Sequence, residues 1–351
     1  MTYNDWFDFS CHCKEARDGT VVVIGNFDGC HMGHQHLIKR AGDYAQSHHL
    51  PLLALTFQPH PRVFFGKSKP GSFVFTVPSQ KDRALKELGV AMHLSQQFTA
   101  DFAGLSAGEF IKTVLVKALY AKAVFVGENF CFGKDRGGSA TDLKASLESC
   151  GVFCEMVSSV MFSDAWRVSS SMVRRLMAAG DMSELKEALC RPLLYEGTCV
   201  KGQGLGKQLG YATMNLAISA DYPLKDGVYT AFVSFDEKRQ IFAYKKASLG
   251  WPAVVNKGLR PTLMPSLGGK KGVKNGARWL EAHILDFPSV SDARNIGGVG
   301  HNVGVYFMDF LRPEQCFSDV DALAHQLSQD VERARLLHQS YDEEVLKNKL
   351  P

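Results

Sequence analysis

The hydrophobic pattern changes once along the 351-residue chain, near Arg191–Pro192, and a chain whose pattern changes this way is expected to fold as two units. Before that point, apolar strand-like runs alternate with helical segments. Thr20–Gly25, Pro51–Phe57, Ala123–Gly127 and Val152–Val157 read as strands. His34–Gln46, Ser79–Leu88 (with Ser79 as N-cap), Ser106–Tyr120, Thr141–Ser149, Ser169–Ala179 and Ser183–Leu189 read as helices. Strands separated by helices imply an α/β unit with a parallel sheet covered on both faces. After that point come short runs punctuated by Gly and Pro: Tyr195–Val200, Gly227–Phe235, Ala253–Asn256, Trp279–Leu285 and Val303–Leu311. These predict a small β-barrel, followed by helical spacing over Val320–Leu337. The expected division is 1–189 and 190–351.

Charge and cysteine usage narrow the function classes. A net charge of +4 is too small to mark a nucleic-acid protein, though it suits polyanionic small molecules such as ATP. Lys257–Arg278 holds six basic residues and no acid, without aromatic interleaving, and reads as a solvated loop rather than an RNA surface. No nucleic-acid partner is expected. No run of 18 apolar residues exists, so no membrane partner is expected either. Nine scattered cysteines, with Cys11-His12-Cys13 matching no paired zinc pattern, point to reduced thiols in the cytoplasm.

The first chemical constellation follows the first strand: Gly25-Asn26-Phe27-Asp28-Gly29-Cys30-His31-Met32-Gly33-His34. It is a strand end, a turn and a helix N-terminus, where backbone N–H groups favour anions. His31 and His34, three apart, can face one ligand, and Gly33 leaves room for a nucleotide. Imidazoles there can stabilise charge on a leaving pyrophosphate. Three more segments fall at strand ends or helix starts on the same sheet edge: one holding His60, the Gly127–Gly133 run with Asn129, and Val168–Arg174 with Ser170 and Arg174.

The second constellation is Lys201–Gly210, a Gly-rich loop with Gly204 and Gly206 that lacks the Walker A order. Thr213 and Asn215 follow, a hydroxyl and an amide oxygen two apart, suited to shared coordination of Mg²⁺. Read without a family, both residues are also common in turns. Glu281 lies on an alternating strand run and is placed to act as a base.

Together these segments resemble the bacterial bifunctional riboflavin kinase/FAD synthetase family, over about Thr20–Pro192 and Arg191–Arg335. The first stretch includes Phe98–Val116, the Asn129 segment and Ser-Ser-x-x-x-Arg; the second includes Gly227-Val228-Tyr229, Asn256–Thr262, Leu285-Asp286-Phe287 and Phe310–Glu314. The resemblance implies a Rossmann-like nucleotidyltransferase domain and a six-stranded antiparallel β-barrel with a terminal helix. It implies an FMN adenylyltransferase in which His31 and His34 bind ATP phosphates. Gly25, Phe27, Asp28, Gly33, His60 and Asn129 would line that pocket, with Ser170 and Arg174 on phosphates. It further implies a riboflavin kinase with Gly204 and Gly206 around phosphates, Thr213 and Asn215 holding Mg²⁺ and ATP, and Glu281 as base. Riboflavin, FMN, FAD and ATP are the partners it implies.

The sequence departs from the family at several points. Ala212 stands where the family has Pro, Met214 where it has a small residue, and Lys257 where it has an apolar one. Ser291–Gly304 replaces the usual Tyr-Gly-Lys. These departures motivate an alternative, a monofunctional FAD synthetase whose barrel is only a flavin-binding or interaction module.

Overall fold

The structure, a computed structural model, describes residues 1–69, 73–163, 166–201, 213–219, 222–236, 239–242, 249–259, 278–286 and 299–341. Gly204, Gly206, Ala212, most of the basic stretch and most of Ser291–Gly304 lie outside the described residues. The chain divides into two compact units, Met1–Met172 and Val173–Leu350, the division falling within the helix Ser170–Ala179.

The first unit is built on six parallel strands: β1 (Thr2–Tyr3), β2 (Thr20–Ile24), β3 (Leu52–Gln58), β4 (Met92–Gln97), β5 (Ala121–Gly127) and β8 (Phe153–Val157), in the order β1-β4-β3-β2-β5-β8. Two short antiparallel pairs lie outside this sheet: β6 (Cys131–Phe132) with β7 (Gly138–Ser139), and β9 (Met161–Ser163) with β10 (Trp166–Arg167). All five residues of β2 are buried, as a strand covered on both faces requires. Val22 and Ile24 join one cluster with Phe9, Val114, Leu115, Leu143 and Leu147. Val21 and Val23, on the other face, are equally buried, and the helix Met32–Ser47 packs on β2 and β5. From β2 the chain adds β3 and β4 on one side, then returns to add β5 and β8 on the other. That reversal opens a crevice at the carboxyl ends of β2 and β5.

Three local readings change. The segment expected to start at a Ser79 N-cap begins one residue earlier, at Pro78, with Val77 as an N-cap that makes no side-chain bond. Proline suits the first helical position because the missing N–H has no intrahelical partner there. The Ser106 helix is capped as expected by a reciprocal Ser106–Glu109 box, but over Phe110–Ala118 it winds as a π-helix. Met92–Gln97, with mixed apolar and polar residues, escapes the strand reading yet forms β4.

The second unit is a closed antiparallel barrel of β11 (Leu193–Val200), β12 (Thr213–Ile218), β13 (Gly227–Ser234), β14 (Trp251–Leu259), β15 (Arg278–Ile284) and β16 (Asn302–Arg312). Pairing of β11 with β16 closes the ring, and β11 meets β12 through Cys199 and Val200. The terminal helix Val320–Gln339 packs Val331, Ala334 and Leu337 on Val228, Val254 and Leu311. It is also held by the Arg312–Asp330 ion pair at 2.6 Å. Thr213 and Asn215, equally readable as turn residues, belong to β12, because pairing with β15 over six residues outweighs local turn preference.

Lys257 explains its own departure from the family. Ala253, Val255 and Lys257 alternate on the buried side of β14, and Lys257 is 1% exposed. Its ammonium pairs with Asp226, which also takes Arg278 at 2.7 Å. Both ends of the basic stretch are therefore engaged with one carboxylate instead of being solvated. Burial pushes the Lys257 ammonium down, and Asp226 opposes that shift. Removing the carboxylate would strand a buried charge. Asp226→Ala is expected to cost about 3 kcal/mol in urea unfolding, whereas Lys257→Met, which removes the charge and keeps the volume, is expected to be neutral or stabilising.

Candidate active sites

In the first unit the carboxyl end of β2 continues into the chemical segment. The Gly25 N–H still reaches the Leu55 carbonyl at 3.1 Å. A Cβ on Gly25 would sit 3.0 Å from the Phe27 ring, so the glycine admits that ring beneath the turn. Phe27 itself is fully buried with φ 50°, and Gly29 (φ 81°) completes the left-handed bend. Asp28 is buried: one of its oxygens accepts the Thr76 N–H at 3.0 Å, while the Gly29 N–H donates to the Thr76 hydroxyl at 2.7 Å. Its visible role is to clamp the turn.

His31 is the N-cap of the helix Met32–Ser47, and its Nδ1 accepts the His34 N–H at 3.3 Å. That bond places the neutral ring's proton on Nε2. The two imidazoles stack at 3.6 Å between centroids with 17° between planes. Nδ1 of His34 is buried without a hydrogen-bond partner. Burial drives the His34 imidazole well below its ordinary 6.5, helped by the positive potential of His31 and Lys81. Lys81, on the helix Pro78–Glu87, is itself buried and pushed down by desolvation, with Asp28 opposing the shift. Sequence reasoning missed it, because a lysine in an amphipathic helix reads as solvated. A Cβ on Gly33 would meet the His31 ring at 3.4 Å and the Val168 carbonyl at 3.8 Å, so the unit's own packing leaves that position nearly open.

The other expected residues reach the same edge by different routes. His60 follows β3 and caps the helix Pro61–Phe64; its Nδ1 accepts the Arg62 N–H at 3.1 Å. Its Nε2 lies 3.1 Å from the Asn26 amide. With Nδ1 accepting, the ring proton is on Nε2, and an Asn26 amide turned oxygen-first would satisfy both that proton and its own otherwise unpartnered Oδ1. Asn129 follows β5 and is exposed, with its amide 3.4 Å from Glu128. The Ser170 hydroxyl donates to the Asp28 carbonyl at 3.2 Å, which ties the start of its helix to the β2 turn. Arg174 lies one helical turn further on. The sequence reading also passed over an aromatic ledge on this edge, where Phe64 and Phe65, both exposed, pack edge-on to Phe98 at 5.3 and 5.9 Å.

In the second unit, strand register assembles the site. Thr213 pairs with His283, Asn215 with Glu281, and Glu281 in turn with Asn256. Thr213 and Asn215 share one face of β12, while Met214 points to the opposite side and pairs with the buried Ala282. The larger third residue of the motif thus faces away from the site. Asn215 is 5% exposed, and its Oδ1 is buried without a hydrogen-bond partner. A hard oxygen donor left unsatisfied beside a hydroxyl and a carboxylate fits a small divalent cation.

Comparison with known proteins agrees with both halves. The family model described as FAD synthetase matches residues 13–172, and that described as riboflavin kinase matches residues 189–338. The bifunctional riboflavin kinase/FMN adenylyltransferase of Pseudomonas fluorescens is 32% identical over 324 residues, covering 91% of this chain and 93% of the relative. The Escherichia coli K12 protein of the same name is 31% identical over 329 residues, covering 92% and 94%. A crystal structure described as a macrolide-efflux protein from Streptococcus pneumoniae shares the fold with a TM-score of 0.76 and 28% identity, covering 97% of this chain and 99% of that one. No helix among the described residues is long and apolar enough to cross a membrane. With a nucleotide-type crevice in one unit, a metal-fitting row of oxygens in the other and matches of this length to both, the chain belongs to the bifunctional riboflavin kinase/FMN adenylyltransferase family.

Proposed function

We infer that the chain carries out two consecutive ATP-dependent transfers: its barrel unit phosphorylates riboflavin to FMN, and its α/β unit adenylylates FMN to FAD with release of pyrophosphate. The observation that carries this reading is the coexistence of two separate sites, the stacked His31–His34 pair at the β2 turn and the Asn215–Glu281 pair across β12 and β15. The monofunctional alternative draws on the altered motif around Met214, and that side chain faces away from the reacting groups.

In the first unit an FMN phosphate oxygen attacks the α-phosphorus of ATP, and the bond from that phosphorus to the bridging oxygen of pyrophosphate breaks. His31, the first N–H groups of its helix and Gly33 are proposed to receive the phosphates, with Ser170 at the start of its own helix. A Cβ at residue 33 would intrude on the ligand's space more than on the protein's. His34 stays neutral near pH 7 and acts as a hydrogen-bonding group rather than a cation. Phe64, Phe65, His60 and Asn129 are proposed to border the flavin.

In the second unit the terminal ribityl hydroxyl of riboflavin attacks the γ-phosphorus of ATP. Glu281 takes the proton and ADP departs. Thr213 and Asn215 would hold Mg²⁺, which when bound neutralises charge on the ATP phosphates. All nine cysteines are free thiols, which supports the cytoplasm as the place of action. Division at Leu189/Cys190, after the helix Met182–Leu189, is the proposed boundary for expressing the halves separately.

Two expected outcomes check this. His31→Ala with His34→Ala is expected to lower FAD formation by about 10²–10³-fold and leave FMN formation intact, whereas Glu281→Gln does the reverse by about 10²–10⁴-fold; separated products of each reaction read both. Folded His34 titrates below its unfolded value, so its neutral form adds stability above about pH 6.5 that is lost as pH falls through the folded pKa. His34→Asn is therefore expected to lose less stability than the parent protein on acidification from pH ~7, measured by urea unfolding at each pH.

A further inference from the structure

The β-ladder sets Asn215, Glu281 and Asn256 side by side on three adjacent strands, on the side of the sheet opposite the buried Leu216, Leu280 and Ala282. Neighbours in such a row are about 5 Å apart, so the two asparagines lie about 10 Å from each other with Glu281 between them. Each asparagine ends in a side-chain oxygen that is buried without a hydrogen-bond partner.

The orientation of Asn256 follows from its surroundings. Its Nδ2 faces a Glu314 carboxylate oxygen at 3.4 Å. A carboxylate only accepts, so the amide nitrogen must lie on that side and Oδ1 must turn away from it. Gly258, two residues along on the same face, makes the space: a Cβ there would overlap the Glu314 carboxylate. Glu314 thus acts as a wedge that holds the Asn256 oxygen in one direction.

The row presents acceptors and needs donors. Thr213 and Asn215 occupy its β12 end, where a cation fits. Asn256 is too far from Asn215 to bind the same ion, because Mg²⁺–oxygen distances are about 2.1 Å. The group that reaches the other side of Glu281 must bring hydroxyls. Resting on the kinase reading above, we propose that Asn256 Oδ1 accepts a hydrogen bond from a ribityl hydroxyl of riboflavin next to the reacting one. The β14 end of the row is then the alcohol side and the β12 end the nucleotide side, with Glu281 between them. Asn256 is a substrate-binding residue and Glu314 its positioning residue.

The test uses the full chain and separates the two substrates. Asn256→Ala is expected to raise the riboflavin KM, and the riboflavin Kd read from flavin fluorescence, by about tenfold, the loss expected for one hydrogen bond to a buried acceptor. The ATP KM is expected to stay within about twofold, and FMN adenylylation by the other unit to stay unchanged. Glu314→Gln, which frees the amide to turn, is expected to shift riboflavin binding in the same direction by less. Unchanged riboflavin Kd and KM in Asn256→Ala, or an ATP KM that rises in parallel, overturns the proposal. If Asn256→Ala loses all flavin binding together with thermal stability, Asn256→Ser decides: its hydroxyl restores an acceptor, and binding no better than the alanine variant at unshifted thermal stability overturns the assignment. If the parent protein binds riboflavin but forms no FMN, the kinase function falls, while the Kd comparison still decides the role of Asn256.

Discussion

Burial of β2 on both faces and both edges is the constraint on which the first unit depends. Val21–Ile24 pair with β3 and Thr20–Val23 with β5, and all five side chains are buried. The chain can turn only after Ile24, and it does so through left-handed Phe27 and Gly29 into a helix that starts at His31. Because β3 and β5 flank β2 in parallel, their carboxyl ends deliver His60 and Asn129 to the same edge. The placement of the imidazole pair at a helix N-terminus is thus a consequence of sheet topology.

The barrel reaches its site by a different physical route. Cross-strand register, rather than a turn, lines up Asn215, Glu281 and Asn256. Residues far apart in sequence become neighbours, and alternation sends Met214 to the other side. The same alternation gives Lys257 its meaning. It points inward with Ala253 and Val255, and Asp226 is there to meet it. A one-residue slip of β14 would expose Val255, bury Asn256 inside and break the row, so one hydrophobic pattern guards both fold and chemistry.

The two sites also differ in how they treat charge. The α/β unit sets the stacked His31–His34 pair, with His34 held neutral by burial, beside buried Lys81, whose ammonium is pushed down by burial and supported by buried Asp28. The barrel row carries oxygens, an arrangement that favours a cation and hydroxyl donors. In the barrel the Asn215 and Asn256 side-chain oxygens are buried without a hydrogen-bond partner, a state that buried polar groups seldom keep.

Sequence alone determined much of this. The switch in hydrophobic period marked two units, the Val-rich run of β2 marked the central strand, and the three-residue spacing of His31 and His34 put the two rings on one side of a helix start, because these signals are local and repeat with the backbone period. Only the tertiary structure decided the rest. The partners of Asp28, the burial of Lys81 and Lys257, the strand state of Thr213–Ile218 and the alignment of Asn256 with Glu281 all depend on contacts between distant segments. No local pattern encodes a register across three strands; closure of the barrel sets it, because only one pairing buries the apolar face and satisfies the backbone at once.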